Sequence, residues 1–234
     1  SGYVPWILAI MLISWSIWLL GMMYKLTAGL RIAIATSAAA TVIAIFLNTS
    51  QIARTQITSI VENTFPQIDL HEIVLSPLPS NPICWSFLTV ETTADLKYIS
   101  RRGIFALSPK RIAAVDCPMI FGKDAQAPLT QINAPVRPEI IWLGKFEAPL
   151  AEMRAMKNND CRAAAMFQFL RAPFWINVST DKRVLGDMRF DRSKNSNFSK
   201  TEVFTNEPMG NDAEKTFKEC ANLPPWIEPR SDLF

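Results

Sequence analysis

Twenty consecutive residues without a charge, Val4 to Met23 (VPWILAIMLISWSIWLLGMM), stand near the start of the chain. At ~1.5 Å of rise per residue they make a helix of about 30 Å, the thickness of bilayer hydrocarbon. The run therefore predicts a transmembrane helix. Tyr3, Trp6 and Tyr24 mark its ends, where amphipathic rings favour the headgroup level, and Trp15 and Trp18 lie deeper. A second apolar run, Leu30 to Leu47, is richer in small residues (Ala33, Ala35, Ala38, Ala39, Ala40), and such a surface lets helix backbones approach closely. The polar stretch YKLTAGLR between them holds the only two charges of the first fifty residues, Lys25 and Arg31. Together these features predict a transmembrane helical hairpin over residues 1–48. The positive-inside rule places its turn in the cytoplasm and returns the chain to the outer face. The expected location is a bacterial inner membrane, with the lipid bilayer as partner and the C-terminal domain on the periplasmic side.

Ser1 is not a methionine, and no basic segment leads into the first apolar run, so the pattern is not that of a signal peptide. We read the start as a cut, which makes further N-terminal transmembrane helices of the same chain an expected partner. About 180 residues follow the hairpin, enough for one domain with its own core. Of 24 basic side chains, removing Lys25 and Arg31 leaves 22 against 21 acidic ones. That near balance argues against a nucleic-acid binder, which collects phosphate contacts with a basic face.

Residues 49–66 continue or restart a helix as a juxtamembrane amphipathic segment, with Ile52, Ile57, Ile60 and Val61 at helical spacing and Phe65-Pro66 ending it. Residues 67–234 read as an extracytoplasmic α+β domain. Strands are expected over Ile68 to Leu75, Ile83 to Thr92, Leu96 to Leu107 and Ile140 to Phe146, from their β-branched and aromatic content. SPLPSNP reads as a proline-rich connection rather than a two-residue hairpin turn. Residues 108–138 carry Pro109, Pro118, Pro128, Pro135 and Pro138 and read as an irregular excursion. Pro149 opens a helix to about Lys157, Asp160 caps another over Cys161 to Leu170, and Pro173 stops it. A hairpin over WINVSTDKRVLGDMRF and a strand over Phe198 to Phe204 complete the expectation. The fold class is thus a two-helix transmembrane hairpin followed by a mostly antiparallel sheet of five or six strands with a few short helices.

Few residues advertise chemistry. His71 is the one histidine, and it lies in an expected strand, where a structural role is the usual one. No HExxH, GxSxG, P-loop or GxGxxG pattern occurs. No catalytic or metal-ligating residue is assigned, and no cofactor is expected in this stretch. The four cysteines are 33, 44 and 59 residues apart, without the close pairs of zinc ribbons. An even count facing an oxidising compartment suggests disulfides. The expected bridge is Cys117 to Cys161, since both border the irregular excursion, and Cys84 between aromatic neighbours reads as a buried thiol. Arg101, Arg102, Asp187 and Arg189 form a candidate polar cluster, either a salt-bridged surface or an anion pocket. Trp85, Trp142, Phe167, Phe174, Trp175 and Phe190 are the expected aromatic core.

The hairpin, LHEIVLSPLPSNPICW, the strand with YISRRG, LRAPFWINV, VLGDMRFDR and the closing LPPWIEPRSDL together resemble the C-terminal part of bacterial inner-membrane proteins classed as metal-dependent hydrolases. The likeness covers nearly the whole chain, and SPLPSNPICW and APFW…LGDMRFDR are its most specific segments. In that family the metal-binding histidines and acids belong to a membrane-embedded N-terminal half, which no residue here matches. The resemblance therefore implies an anchor and extracytoplasmic portion of such a hydrolase, with a divalent metal held upstream. The alternative is a non-enzymatic membrane-tethered binding module for an envelope lipid or protein partner.

Overall fold

The second apolar run does not end where the composition changes. In the computed structural model, which describes residues 14–16, 18, 19, 21, 27–78, 81–118, 129–179, 182–190 and 201–204, it belongs to one helix, α1, Ala28–Thr64. Thr27 caps the helix by accepting the Leu30 backbone N–H at 3.4 Å. Between Leu30 and Thr64 there is no glycine or proline to break the ladder. Thr36, Thr41, Asn48, Thr49 and Ser50 donate their side-chain hydrogens to carbonyls three or four residues back. The polar groups of an apolar surface are thereby satisfied within the helix. The transmembrane segment ending at 48 and the separate segment over 49–66 are thus one rod of 37 residues, about 55 Å long.

The two halves of α1 have different surroundings. The apolar window, of mean hydropathy 2.0, is long enough to cross a membrane and has none of its residues buried. The buried residues of the helix, Ala53, Ile57 and Val61, recur every four residues in its C-terminal half. α1 is the one such candidate span among the described residues. Most of the first apolar run lies outside them; Ser14, Trp15, Ser16, Trp18, Leu19 and Gly21 are helical.

Phe65 ends α1, and the chain turns back as β1, Ile68–Leu78. β2 (Asn81–Thr93), β3 (Lys97–Ala106) and β4 (Ile140–Pro149) follow in a four-stranded antiparallel sheet of sequential order. β1 outruns its expected end at Leu75 because Pro77 sits on an edge strand, where no ladder hydrogen bond is forfeited. Leu78 pairs with Asn81, so the proline-rich connection is a two-residue hairpin link after all. Two bulges re-aim side chains. The first interrupts the register between Leu70 and Glu72, with His71 as the extra residue, so Ile68, Leu70, Ile73 and Leu75 all join the cluster beneath α1. The second lies in β4 between Gly144 and Trp142. Gly144 has φ 149°, a conformation open to glycine. The bulge sends Ile140 and Trp142 toward α1 and Phe146 and Ala148 to the opposite face.

Two short helices come next, α2 (Leu150–Asn159) and α3 (Cys161–Phe169). Asp160 caps α3 as its position suggests, its carboxylate accepting from Arg162 and Ala163 N–H. Instead of one sheet of five or six strands, β5 (Pro173–Asn177), β6 (Lys182–Asp187) and β7 (Thr201–Phe204) make a second sheet of three. Pro173, expected only to stop α3, starts β5. The helices and second sheet cover the far face of the first sheet, with Leu88, Tyr98 and Phe146 meeting Met153, Phe167, Trp175 and Leu185. The expected single aromatic core is therefore divided. Trp85 and Trp142 pack under α1, Phe167, Phe174 and Trp175 on the other face, and Phe190 is 43% exposed.

The disulfide expectation fails. Cys117 bonds to Cys84, with their Cα atoms 5.8 Å apart. The cause is topological: β3 ends beside the start of β2, and the 3₁₀ turn Ala114–Asp116 folds back onto the same sheet end, where Cys84, Ala106 and Ala114 pack together. Cys84 is thus no free thiol. Cys220 and the tail with LPPWIEP lie outside the described residues.

Candidate functional site

Glu91 on β2 and Arg101 on β3 form a charged centre beneath the C-terminal end of α1. Glu91 is fully buried and Arg101 is 5% exposed, and their carboxylate and guanidinium are in contact. Thr89 donates its hydroxyl to Glu91 Oε1 at 2.5 Å and accepts the Arg101 backbone N–H at 3.1 Å. Phe65, the residue that ends α1, lays its ring over Arg101, with Cζ 3.8 Å from the ring centroid. The same ring meets Trp142 edge to face at 5.4 Å. Arg101 Nε is buried and has no hydrogen-bond partner among the described residues, so the ring face is its neighbour instead. Burial lowers Arg101 to about 10, an effect the negative charge of Glu147 opposes, and burial alone lowers Arg102 to about 10. Both remain cations at neutral pH.

The remaining members of the predicted cluster lie elsewhere. Arg101 and Arg102 are neighbours on one strand and so point to opposite faces of the sheet. Asp187 and Arg189 sit at the end of β6, in the other sheet. Asp187 is fully buried and accepts the backbone N–H groups of Arg171 and Arg189 at 2.9 and 2.8 Å. Arg189 Nε returns to the same carboxylate at 2.8 Å, and its guanidinium lies 4.7 Å from the Phe190 ring centroid. Arg171 in turn pairs with Glu72 on β1, which links the second sheet to the first. Arg101 and the Asp187–Arg189 pair thus serve two separate ties, and the four residues are not gathered into one anion pocket.

Glu91 and Thr89 escaped the sequence reading, although a signal existed. In WSFLTVE, strict alternation puts Thr89 and Glu91 on the face of Trp85 and Phe87, both core residues. A carboxylate at that phase of a buried strand requires a partner. His71 is the bulge residue of β1, its Nε2 2.8 Å from Thr92 Oγ1 and 3.9 Å from Asp69 Oδ2. No group of three or more His, Cys, Asp or Glu capable of holding a metal ion occurs among the described residues.

Chemically, the Glu91–Arg101 centre is closed. Each charge is neutralised by the other, and helix, ring and sheet exclude water from both. What it does is fix where α1 ends on the sheet. Compared with protein-family models, curated proteins and solved structures, the chain finds no match in any of the three.

Proposed function

We propose that this chain is the membrane-anchored, extracytoplasmic portion of a metal-dependent hydrolase of the bacterial inner membrane, its domain covering or orienting a metal site held by other membrane helices. The observation that carries the reading is the change of surroundings along α1. Its apolar half has no buried residue and its other half buries Ala53, Ile57 and Val61 against the domain, as expected of a rod that leaves lipid and enters a domain. The Cys84–Cys117 bridge favours an oxidising compartment. The hairpin supplies the anchor: an ideal Cβ on Gly21 would lie 3.9 Å from the Arg31 side chain, a near approach of the first run to the start of α1. The hydrolase assignment rests on the family resemblance of SPLPSNPICW, which contributes to β1 and β2, and of APFW…LGDMRFDR, which contributes to β5 and β6.

A second reading, a non-enzymatic tethered binding module, draws on the internal satisfaction of the buried charges just described. Two measurements separate these. Alkaline phosphatase fused after Phe234 should be active and a fluorescent protein there dark; the reverse pattern rejects the outer location. Full-length protein purified from membranes should hold stoichiometric divalent metal and turn over ester or phosphoester substrates. Metal-free, inactive protein leaves only the binding module.

A further inference from the structure

The end of the first sheet that carries the disulfide meets α1 at the edge of its apolar run. Phe46, one residue before the run ends at Leu47, packs edge-on against Trp85 with ring centroids 6.3 Å apart. Trp85 stands in register with Pro77 on β1 and Phe105 on β3, and Phe105 with Ile140 on β4. That row is therefore level with the outer boundary of the span. Beyond it in the same direction, Leu78, Asn81, Leu107 to Pro118 and Val136 to Glu139 lie at the membrane end. Backbone hydrogen bonds from Ala106 to Glu139 and from Ala114 to Pro138, both 2.8 Å, and the Cys84–Cys117 bridge hold these segments as one rim.

The rim has the chemistry of a lipid contact. Val136 is fully exposed and Val115 is 49% exposed, although both are apolar and β-branched. Lys110 and Arg111 are exposed beside them. Arg137 faces the half-buried Glu139 at 4.0 Å, and Asp116 is an exposed acid, so the described rim carries three cations and two anions. Apolar side chains flanked by cations suit the boundary between acyl chains and anionic headgroups.

We propose that this rim rests on the bilayer surface, with Val115 and Val136 entering the headgroup layer and Lys110 and Arg111 meeting anionic lipid phosphates. The assignment rests on α1 spanning the membrane. It is tested with the full chain in vesicles of phosphatidylcholine, with and without phosphatidylglycerol, carrying a photoreactive benzoylphenylalanine at position 115, 136 or, as control, 96. Leu96 is 63% exposed but lies at the opposite end of the sheet. Lipid adducts should form at 115 and 136 and not at 96. Their yield should rise with phosphatidylglycerol and fall roughly fivefold for each of Lys110→Ala and Arg111→Ala. A chain that resists alkaline carbonate extraction yet gives no adduct at 115 and 136 overturns the rim contact while leaving the anchor intact. Extraction by carbonate overturns the anchor and the contact together. Equal adducts at all three positions, or adducts indifferent to phosphatidylglycerol and to both alanine variants, also overturn it.

Discussion

Two charged groupings on the same sheet obey opposite physics. Beneath α1, Glu91 and Arg101 are shut away from water with Phe65 as a lid. At the far hairpin, Lys97 reaches Asp95 and Glu147 at 3.2 Å each, and Lys145 reaches Glu147 at 2.5 Å, all at or near the surface. In the interior, removing one partner strands a charge that cannot be rehydrated. At the Lys97 hairpin, water and salt replace a lost partner at once. Similar residue types are thus a structural commitment in one place and a solvated decoration in the other.

The largest expected effect breaks the interior member. Arg101→Ala leaves Glu91 buried and unpaired, and should lower unfolding free energy by about 3–5 kcal/mol, read as a drop in thermal midpoint. Replacing both, as Glu91→Met with Arg101→Leu, should recover most of that loss, because a shape-matched apolar pair has no desolvation cost. If the double variant is as weak as the single one, the pair contributes net stability and the contrast with the surface needs restating. The disulfide comes next: Cys84→Ser with Cys117→Ser should cost ~2–4 kcal/mol, detected as lower resistance to urea. Gly103→Ala follows at roughly 1–3 kcal/mol, since a Cβ there would stand 2.5 Å from the Phe87 ring and 2.6 Å from the Ile141 carbonyl. Smallest is Lys97→Ala, for which no resolvable shift in the thermal midpoint is expected.

A pH titration sharpens the same contrast. A hydrogen bond from Lys145 leads the groups holding the Glu147 carboxyl below its ordinary 4.5, and burial partly opposes them. A carboxyl depressed in the folded state stabilises above its unfolded pKa and loses that contribution as pH falls through the folded one. Any contribution of this surface group should therefore fade only in acid below 4.5, and Lys145→Ala should narrow the pH window over which it fades. A midpoint equally pH-dependent in Lys145→Ala would remove Glu147 as its source.

Much of the secondary structure was legible from residue order. The Asp160 cap followed from a carboxylate before a helical repeat, and β2 and β3 from dense β-branched and aromatic runs. What was not legible depended on distant pairing. Whether seven strands form one sheet or two is decided by how the chain after α3 packs across Phe146 and Tyr98, and no local period encodes that. The Cys84–Cys117 bridge had the same origin, because the sheet brings the start of β2 and the turn after β3 to one end. Sequence spacing favoured Cys161 only through proximity to a loop. The division of Arg101 from Asp187 was similarly hidden: each strand shows its own alternation, but nothing in either shows which sheet it joins.

The unbroken course of α1 has a mechanical consequence. A helix advances about 100° per residue, and between Leu47 and the first buried residue, Ala53, there is no hinge to absorb a turn. The domain's heading relative to the apolar half of α1 is therefore the helix's own phase. One residue inserted after Asn48 would rotate the whole domain by about 100° and raise it by about 1.5 Å. Conversely, any twist or piston stroke of the apolar half of α1 would reach the domain at full amplitude, as on a keyed shaft.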